Sequence, residues 1–179
     1  VTTEIPFDSP EYNRLLAAFY VDWTARLAAL AVTGDVVVLC ERDPLFYGSF
    51  MHLHARLQGL AEVEIIPGIP GMTGCWSVVG RPMTWGDDAM CVLMGTLSEP
   101  DLTRHIAASD AVVVMKTGRN LPKIARAIAA AGRMADAWLV ERGTMPNQRV
   151  TPLAQADLDA CPYFATVLVH GNGRRPLAA

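Results

Sequence analysis

Apolar residues along this chain fall into two kinds of pattern. Unbroken apolar runs of about five residues predict strands buried on both faces, and apolar residues spaced three or four positions apart predict helices. The predicted strands are 36–40, 63–67, 89–94, 111–115, 137–141 and 163–170, with 147–153 as a further candidate. The predicted helices are 9–31, 49–60, one that opens at Ser98, and 121–131. Strands that alternate with helices indicate βαβ units.

The later part of the chain ends in closely spaced strands, which the earlier part lacks. Between the two parts, RPMTWG at 81–86 has the composition of a linker. We therefore expect an α/β fold with two lobes, 1–80 and 81–179. The first lobe should hold a parallel sheet and the second a mixed sheet.

Composition narrows the class of protein. Of the 179 residues, 51% are apolar and 18% are charged, so a folded core is expected. The net charge of −3 argues against nonspecific binding to nucleic acid. Thirteen of the 15 basic residues are arginines, which favours an anionic ligand because the guanidinium matches carboxylates and phosphates. A GC-rich genome would give the same arginine bias.

The cysteines and histidines do not have the spacing of a metal site. The four cysteines lack a CxxC pair, and His52 and His54 point to different sides of a helix. Unpaired thiols are typical of a reducing cytoplasm, where we expect this protein. No apolar run approaches the ~18 residues of a membrane span, and the first residues do not resemble a signal peptide.

Unusual loops follow several predicted strands at their carboxyl ends. In parallel sheets ligands bind at that edge, so these loops predict a binding site. The loops are ERDPLFYGS after 36–40, GIPGMTG after 63–67, KTGRN after 111–115 and RGTMPNQ after 137–141.

None of these loops carries a familiar catalytic motif. The glycines of GIPGMTG are not spaced as GxGxxG, which makes a dinucleotide-binding Rossmann protein a weak alternative, and no GxSxG elbow occurs. The loops instead offer backbone groups, methionines, aromatic rings and arginines. Such a site binds and orients its ligands, and no catalytic acid or base can be named.

Taken in order, the loops resemble the tetrapyrrole methyltransferase family. RDPLFYG at 42–48 is similar to the family's GDPxxYG motif, and IPGIPG at 66–71 is similar to its IPGI motif. Within the family, five stretches resemble the precorrin-2 C20-methyltransferase branch: CERDPLFYGSFMHLHARL, IPGIPGMTGCWS, PMTWGDD, MKTGRNLPK and ERGTMPNQ. The resemblance extends from the first residues to Gly173.

The resemblance implies two lobes with S-adenosylmethionine in the cleft between them and no metal. It also implies a homodimer and a tetrapyrrole substrate, precorrin-2, methylated at C20 to precorrin-3A in cobalamin biosynthesis. Carried over by position, the cofactor-binding residues would be Arg42, Asp43, Phe46, Gly71, Met72, Met115, Thr144, Met145 and Gly171.

The substrate carries several carboxylates, for which arginines are the natural partners. The candidate substrate-binding residues are Arg81, Arg119, Arg142 and Arg149, together with Tyr47. Each arginine could equally be ordinary surface charge, and Tyr47 could simply pack its loop. Methyl transfer to an electron-rich carbon needs orientation and exclusion of water more than a strong base.

Two positions depart from the family pattern. The family begins with a strand and a GxGPGD-like loop that this sequence lacks, so we expect an N-terminally truncated chain. Arg42 stands where the family has glycine, and it brings bulk and charge to a place where backbone would otherwise approach the ligand. The alternative hypothesis is a non-catalytic remnant that binds cofactor weakly or serves as a subunit.

Overall fold

The computed structural model describes Ile5 and residues 9–173 and divides the chain into two compact units, residues 1–70 and 71–179. Unit 1 contains helices α1 (Tyr12–Ala31) and α2 (Phe50–Leu57). Unit 2 contains α3 (Gly71–Val79), β1 (Met90–Met94), α4 (Glu99–Ala107), β2 (Ala111–Met115), α5 (Leu121–Ala130), β3 (Ala137–Glu141), β4 (Arg149–Pro152) and β5 (Ala165–Val169). The boundary between the units falls ten residues before the lobe boundary expected at 80/81, which stays a prediction.

In unit 1 the two helices pack through aromatic side chains. The rings of Tyr20 and His52 lie 4.8 Å apart between centroids, and the Arg56 guanidinium lies 5.6 Å from the centre of the Tyr20 ring. Tyr20 and Leu57 are buried, each with about one-twentieth of its surface exposed. The apolar spacing of α1 and α2 in the sequence therefore identified both helices correctly.

The parallel sheet expected in the first lobe is not present among the described residues of unit 1. Residues 36–40 and 63–67 form no strand, and within the described part of unit 1 neither segment has a strand partner. The side chain of Val37 is 80% exposed and that of Leu39 is 90% exposed. An apolar run becomes a strand only when a neighbour satisfies its backbone N–H and C=O groups, and neither segment supplies this to the other.

Unit 2 is built on a five-stranded mixed sheet in the order β1-β2-β5-β3-β4. Only β1 and β2 run parallel as neighbours, and β5 lies antiparallel between β2 and β3. Since β2 and β3 are both antiparallel to β5, they point the same way, and the carboxyl ends of β1, β2 and β3 share one edge of the sheet. The mixed sheet predicted for the second lobe is confirmed.

Helices α4 and α5 cover one face of this sheet and form the main core. Their apolar side chains pack against alternate strand residues, which is why the strands read as unbroken apolar runs. Helix α4 begins as its sequence predicts: the Ser98 hydroxyl accepts a hydrogen bond from the Asp101 N–H at 3.3 Å, and Pro100 stands in the first turn. The core members with at most 1% of their surface exposed are Leu102, Ile106, Val112, Val114, Leu121, Ile124, Ala127, Ile128, Ala137, Leu139, Val167 and Val169.

Candidate binding site at the strand ends

In unit 2, the loops after β2 and β3 meet at the carboxyl edge of the sheet. The Thr117 hydroxyl, fully buried, donates a hydrogen bond to the Ala165 carbonyl at 3.0 Å. The Arg142 N–H donates to the Phe164 carbonyl at 2.7 Å. Both loops are thus tied to the start of the same central strand, which fixes their positions relative to one another.

The backbone at this edge is strained. Lys116, Arg142 and Thr144 have φ values of 53°, 49° and 67°, a left-handed conformation that residues with a β-carbon rarely adopt. Each such residue costs on the order of 1–3 kcal/mol and persists only where the surroundings enforce it. Such strain concentrates at binding sites, so these two loops are the strongest candidates in unit 2.

Helix α3 packs closely against the loop after β3. A β-carbon placed on Gly74 would lie 2.9 Å from the Thr144 γ-methyl group. A β-carbon on Gly143 would lie 3.0 Å from the Cys75 sulfur. The glycines of GIPGMTG and ERGTM therefore permit a close approach between these two segments.

Five of the predicted cofactor residues of unit 2 lie either at the carboxyl edge of the sheet or at the start of α3. Met115 ends β2 and is buried, whereas Thr144 and Met145 follow β3 and are exposed; all three lie at the carboxyl edge. Gly71 and Met72 begin α3, the helix that touches Thr144. Gly71 is exposed and Met72 is buried.

Gly171 lies at the other end of the sheet. It follows β5, whose last residue, Val169, pairs with Ala137 at the start of β3. The Gly171 N–H donates to the Met83 carbonyl at 3.0 Å. The structure therefore does not bring Gly171 together with Met115 and Thr144, because β5 runs antiparallel and ends where its neighbours begin.

The predicted substrate-binding arginines of unit 2 separate in the same way. Arg119 follows β2, Arg142 follows β3, and Arg149 pairs with Glu141 at the same edge. Arg81 instead lies 5.9 Å from the centre of the Trp138 ring, towards the opposite end. Three of the four arginines thus share the edge with Met115.

Arg149 differs from the other two arginines because its charge is already compensated. Its Nε donates a hydrogen bond to the Glu141 carboxylate, whose side chain is almost fully buried. That hydrogen bond raises the pKa of Arg149 above its ordinary value. We infer that Arg149 holds Glu141 in place, since removing one partner would leave a buried charge alone.

The predicted residues of unit 1 form a separate bend after residue 40. The Asp43 carboxylate accepts hydrogen bonds from the N–H groups of Leu45 and Gly68, each at 3.0 Å. This joins RDPLFYG to IPGIPG, the two stretches that carry the family resemblance in unit 1. Tyr47 adopts a φ of 53°, which turns the chain towards α2.

The other predicted side chains of the bend differ in exposure. Phe46 is half-buried against the ring of Tyr47, with the two centroids 4.9 Å apart. Arg42 and Tyr47 are exposed. Arg42 is therefore exposed to solvent, whereas the Asp43 carboxylate is hydrogen-bonded to backbone N–H groups of unit 1.

Some residues at the strand edge were missed in the sequence. Gly95 follows β1, and a β-carbon there would lie 2.8 Å from the Lys116 carbonyl oxygen. Thr117 and Glu141 are the buried polar residues of the edge. Gly95 directly follows the apolar run of β1, Thr117 comes two residues after that of β2, and Glu141 ends that of β3. Inspecting the residues at the end of every strand would have named all three.

At the opposite end of the sheet, His170 is buried and held in one orientation. Its Nδ1 lies 2.9 Å from the Pro82 carbonyl oxygen, and its Nε2 has no partner among the described residues. Burial lowers the pKa of this imidazole, and the nearby Arg81 charge lowers it further, while the Pro82 carbonyl opposes the shift. His170 is therefore neutral in the folded chain at neutral pH.

This lowered pKa predicts a loss of stability in mild acid. Below about pH 6.5 the unfolded chain takes up a proton at His170 more readily than the folded chain, so the free energy of unfolding should fall as the pH drops. The slope from this residue is at most about 1.4 kcal/mol per pH unit. Urea denaturation between pH 5 and 7.5 measures it. His170→Gln should flatten the slope and His105→Gln on α4 should not, and an NMR titration giving His170 an ordinary pKa would contradict the prediction.

Residues 9–173 contain neither a metal-ligand cluster nor a membrane-spanning helix. Among residues 9–173 no cluster of three or more His, Cys, Asp or Glu side chains could hold a metal ion. Within those same residues, no helix has both the length and the apolar character required to cross a membrane.

Comparisons with known proteins agree with the fold and the order of motifs. The family described as Tetrapyrrole (Corrin/Porphyrin) Methylases matches residues 4–159. A precorrin-2 C(20)-methyltransferase from Sinorhizobium sp is 52% identical over 98% of this chain and 72% of its own length. The cobalamin biosynthesis protein CobIJ of Mycobacterium bovis is 40% identical over 99% of this chain, which spans only 35% of that protein.

A solved structure supports the same fold at lower identity. The uroporphyrin-III C-methyl transferase from Thermus thermophilus, complexed with S-adenyl homocysteine, superposes with a TM-score of 0.61 at 22% identity. It covers 83% of this chain and 72% of its own. With a family match over most of its length and a relative that shares half of its residues, this chain belongs to the tetrapyrrole (corrin/porphyrin) methylases.

Proposed function

We propose that this protein transfers a methyl group from S-adenosylmethionine to C20 of precorrin-2, giving precorrin-3A in cobalamin biosynthesis. One observation supports this above the others: Met115, Thr144 and Met145, the residues expected at the cofactor, lie on one edge of the sheet. They do so in a chain 52% identical to a precorrin-2 C(20)-methyltransferase. The relative of known structure that was crystallised with S-adenyl homocysteine supports the choice of donor.

The residues at the edge have the chemistry that this cofactor requires. Met115 and Met145 offer polarisable apolar surface for the adenosine, at the edge where Lys116 and Thr144 hold a left-handed backbone. Gly71 and Met72 stay candidates because they begin helix α3, which approaches Thr144 closely at Gly74. Arg42, Asp43 and Phe46 stay candidates on the strength of the family resemblance.

S-adenosylmethionine supplies an electrophilic methyl group when bound. The chain's own contribution is to hold the acceptor carbon in line with the bond that breaks and to exclude water. Met115 and Thr117 are buried at this edge and help to exclude water. Arg119 and Arg142 follow β2 and β3 and place positive charge there for the acid groups of the substrate. No residue is assigned a proton transfer.

The finer features of this function are also proposals. A homodimer rests on the family resemblance alone. A cytoplasmic location is supported by the four free cysteines, since thiols persist in reducing compartments. The net charge of −3 supports a small-molecule substrate over nucleic acid.

The test follows binding and transfer separately. Calorimetry with S-adenosylhomocysteine measures cofactor binding, and incubation with methyl-labelled S-adenosylmethionine and precorrin-2 measures transfer to the tetrapyrrole. Label at C20 supports the proposal in full. Binding without label supports the non-catalytic alternative, and label at another carbon would show a different regiochemistry.

A further inference from the structure

A cavity of about 340 Å³ lies beside the turn that follows β2. Its walls come from two segments of unit 2: residues 118–122, which lead into α5, and residues 158–161, which lead into β5. The lining residues are Gly118, Arg119, Pro122, Leu158, Asp159 and Cys161. The cavity volume is at the low end of the range for ligand clefts, about 300–1,000 Å³, so it can hold one end of a macrocycle rather than the whole.

The residues that line the cavity are close in sequence to Met115 at the proposed cofactor edge. Arg119 stands four residues after Met115, and Thr117 between them is anchored to Ala165. The Cys161 thiol lies 3.6 Å from the Thr117 hydroxyl, and burial raises the pKa of this thiol, which keeps it neutral. The floor of the cavity is therefore uncharged, and its charges come from Arg119 and Asp159 at the rim.

Arg119 is the cation that lines this cavity. Arg149 is engaged by Glu141, and Lys123 donates to the Leu97 carbonyl at 2.7 Å. Arg119 is exposed and, within the described ranges, makes no ion pair and no side-chain hydrogen bond, although Asp159 lines the same cavity. A guanidinium held at the mouth of a cavity without a partner is suited to an incoming carboxylate.

We propose that this cavity binds one acid side arm of the tetrapyrrole, with Arg119 donating hydrogen bonds to its carboxylate and Pro122 and Leu158 contacting its methylene groups. Asp159 opposes this binding, because it places a second negative charge near the same carboxylate. The inference rests on the proposed function, and it assigns the two charged residues opposite effects on affinity. A purely structural role for either residue would not give opposite signs.

The test uses the whole chain and uroporphyrin III, a stable tetrapyrrole with eight carboxylates, as the probe. Binding is followed by quenching of tryptophan fluorescence. We expect Arg119→Gln to weaken affinity about five- to ten-fold and Arg119→Lys to recover part of it, because the contact is charge-assisted but partly solvent-screened. Asp159→Asn should tighten binding about two-fold or more. Arg126→Gln, on helix α5 that follows Arg119 and paired with Glu99, should leave affinity unchanged.

Separate readouts keep this inference distinct from the proposed function. Calorimetry with S-adenosylhomocysteine should give the same affinity for all four variants, and the KM for precorrin-2 should follow the uroporphyrin affinity. If the cofactor product binds but Arg119→Gln and Asp159→Asn shift tetrapyrrole affinity in the same direction, or not at all, the cavity assignment is wrong and the function stands. If neither ligand binds the unaltered chain, both are wrong.

Discussion

Gly74→Ala should weaken binding of S-adenosylhomocysteine by about ten- to a hundred-fold. The added β-carbon would lie 2.9 Å from the γ-methyl group of Thr144, and overpacking of this kind costs roughly 1–3 kcal/mol. Thr144 cannot easily turn away, because its side chain is branched at the β-carbon and its backbone is already left-handed. The expected displacement is therefore that of the 142–145 loop itself. Calorimetry measures the affinity directly.

A second substitution tests whether that one contact is the cause. Thr144→Ser removes the γ-methyl group and keeps the hydroxyl, so Gly74→Ala combined with Thr144→Ser should recover most of the lost affinity. Thr144→Ser alone is the matched control and should change affinity little. If the double variant binds as poorly as Gly74→Ala, the loop after β3 does not transmit the effect, and the assignment of Thr144 and Met145 to the cofactor loses its support.

Gly68→Ala should open the bend of unit 1. A β-carbon there would lie 2.8 Å from the Asp43 nitrogen and 2.9 Å from the Asp43 α-carbon, both backbone atoms that cannot rotate away. The same shift would break the hydrogen bond from the Gly68 N–H to the Asp43 carboxylate. We expect a local cost of about 3 kcal/mol, which corresponds to roughly hundred-fold faster amide exchange over residues 41–48.

Hydrogen exchange followed by mass spectrometry measures this opening peptide by peptide. Ile69→Ala is the control, because the neighbouring side chain is 74% exposed and its loss should leave the bend closed. Asp43→Ala should speed exchange in the same peptides by a different route, since it removes the acceptor of two hydrogen bonds. Unchanged exchange in both Gly68→Ala and Asp43→Ala would contradict the role given to this bend.

The sequence predicted the strands of unit 2 well for a physical reason. Strands β2, β3 and β5 are buried on both faces, so each is an unbroken apolar run whose ends are marked by charged or small residues. The same reasoning failed at 36–40. That segment has the same composition, but composition records the tendency to be buried and not the presence of a hydrogen-bonded neighbour.

Strand direction was the other property that could not be read from the sequence. A run such as 165–169 has the same composition whichever way it enters the sheet, so Gly171 was placed with Met115 although β5 carries it to the opposite end. Arg81 lies in a stretch with the composition of a linker, which gave no indication of its position; the structure places it against Trp138 towards the opposite end. The structure brings six of the predicted residues to one edge because they end, follow or begin strands β2, β3 and β4: Met115, Arg119, Arg142, Thr144, Met145 and Arg149.

The central position of β5 also sets an order of events during synthesis. Among residues 9–173, β5 is the last strand in chain order, yet it lies between β2 and β3. The pair β1–β2 and the hairpin β3–β4 therefore have no shared ladder until it arrives. Until residue 169 has left the ribosome, both half-sheets expose an unpaired central edge, the kind of edge through which chains associate. The loops at Lys116 and Arg142 obtain their common anchor, Phe164 and Ala165, in the same step. The binding edge of unit 2 therefore forms only after Phe164 and Ala165 have been synthesised, and a nascent chain that stops before Ala165 has helices and strands but lacks this edge.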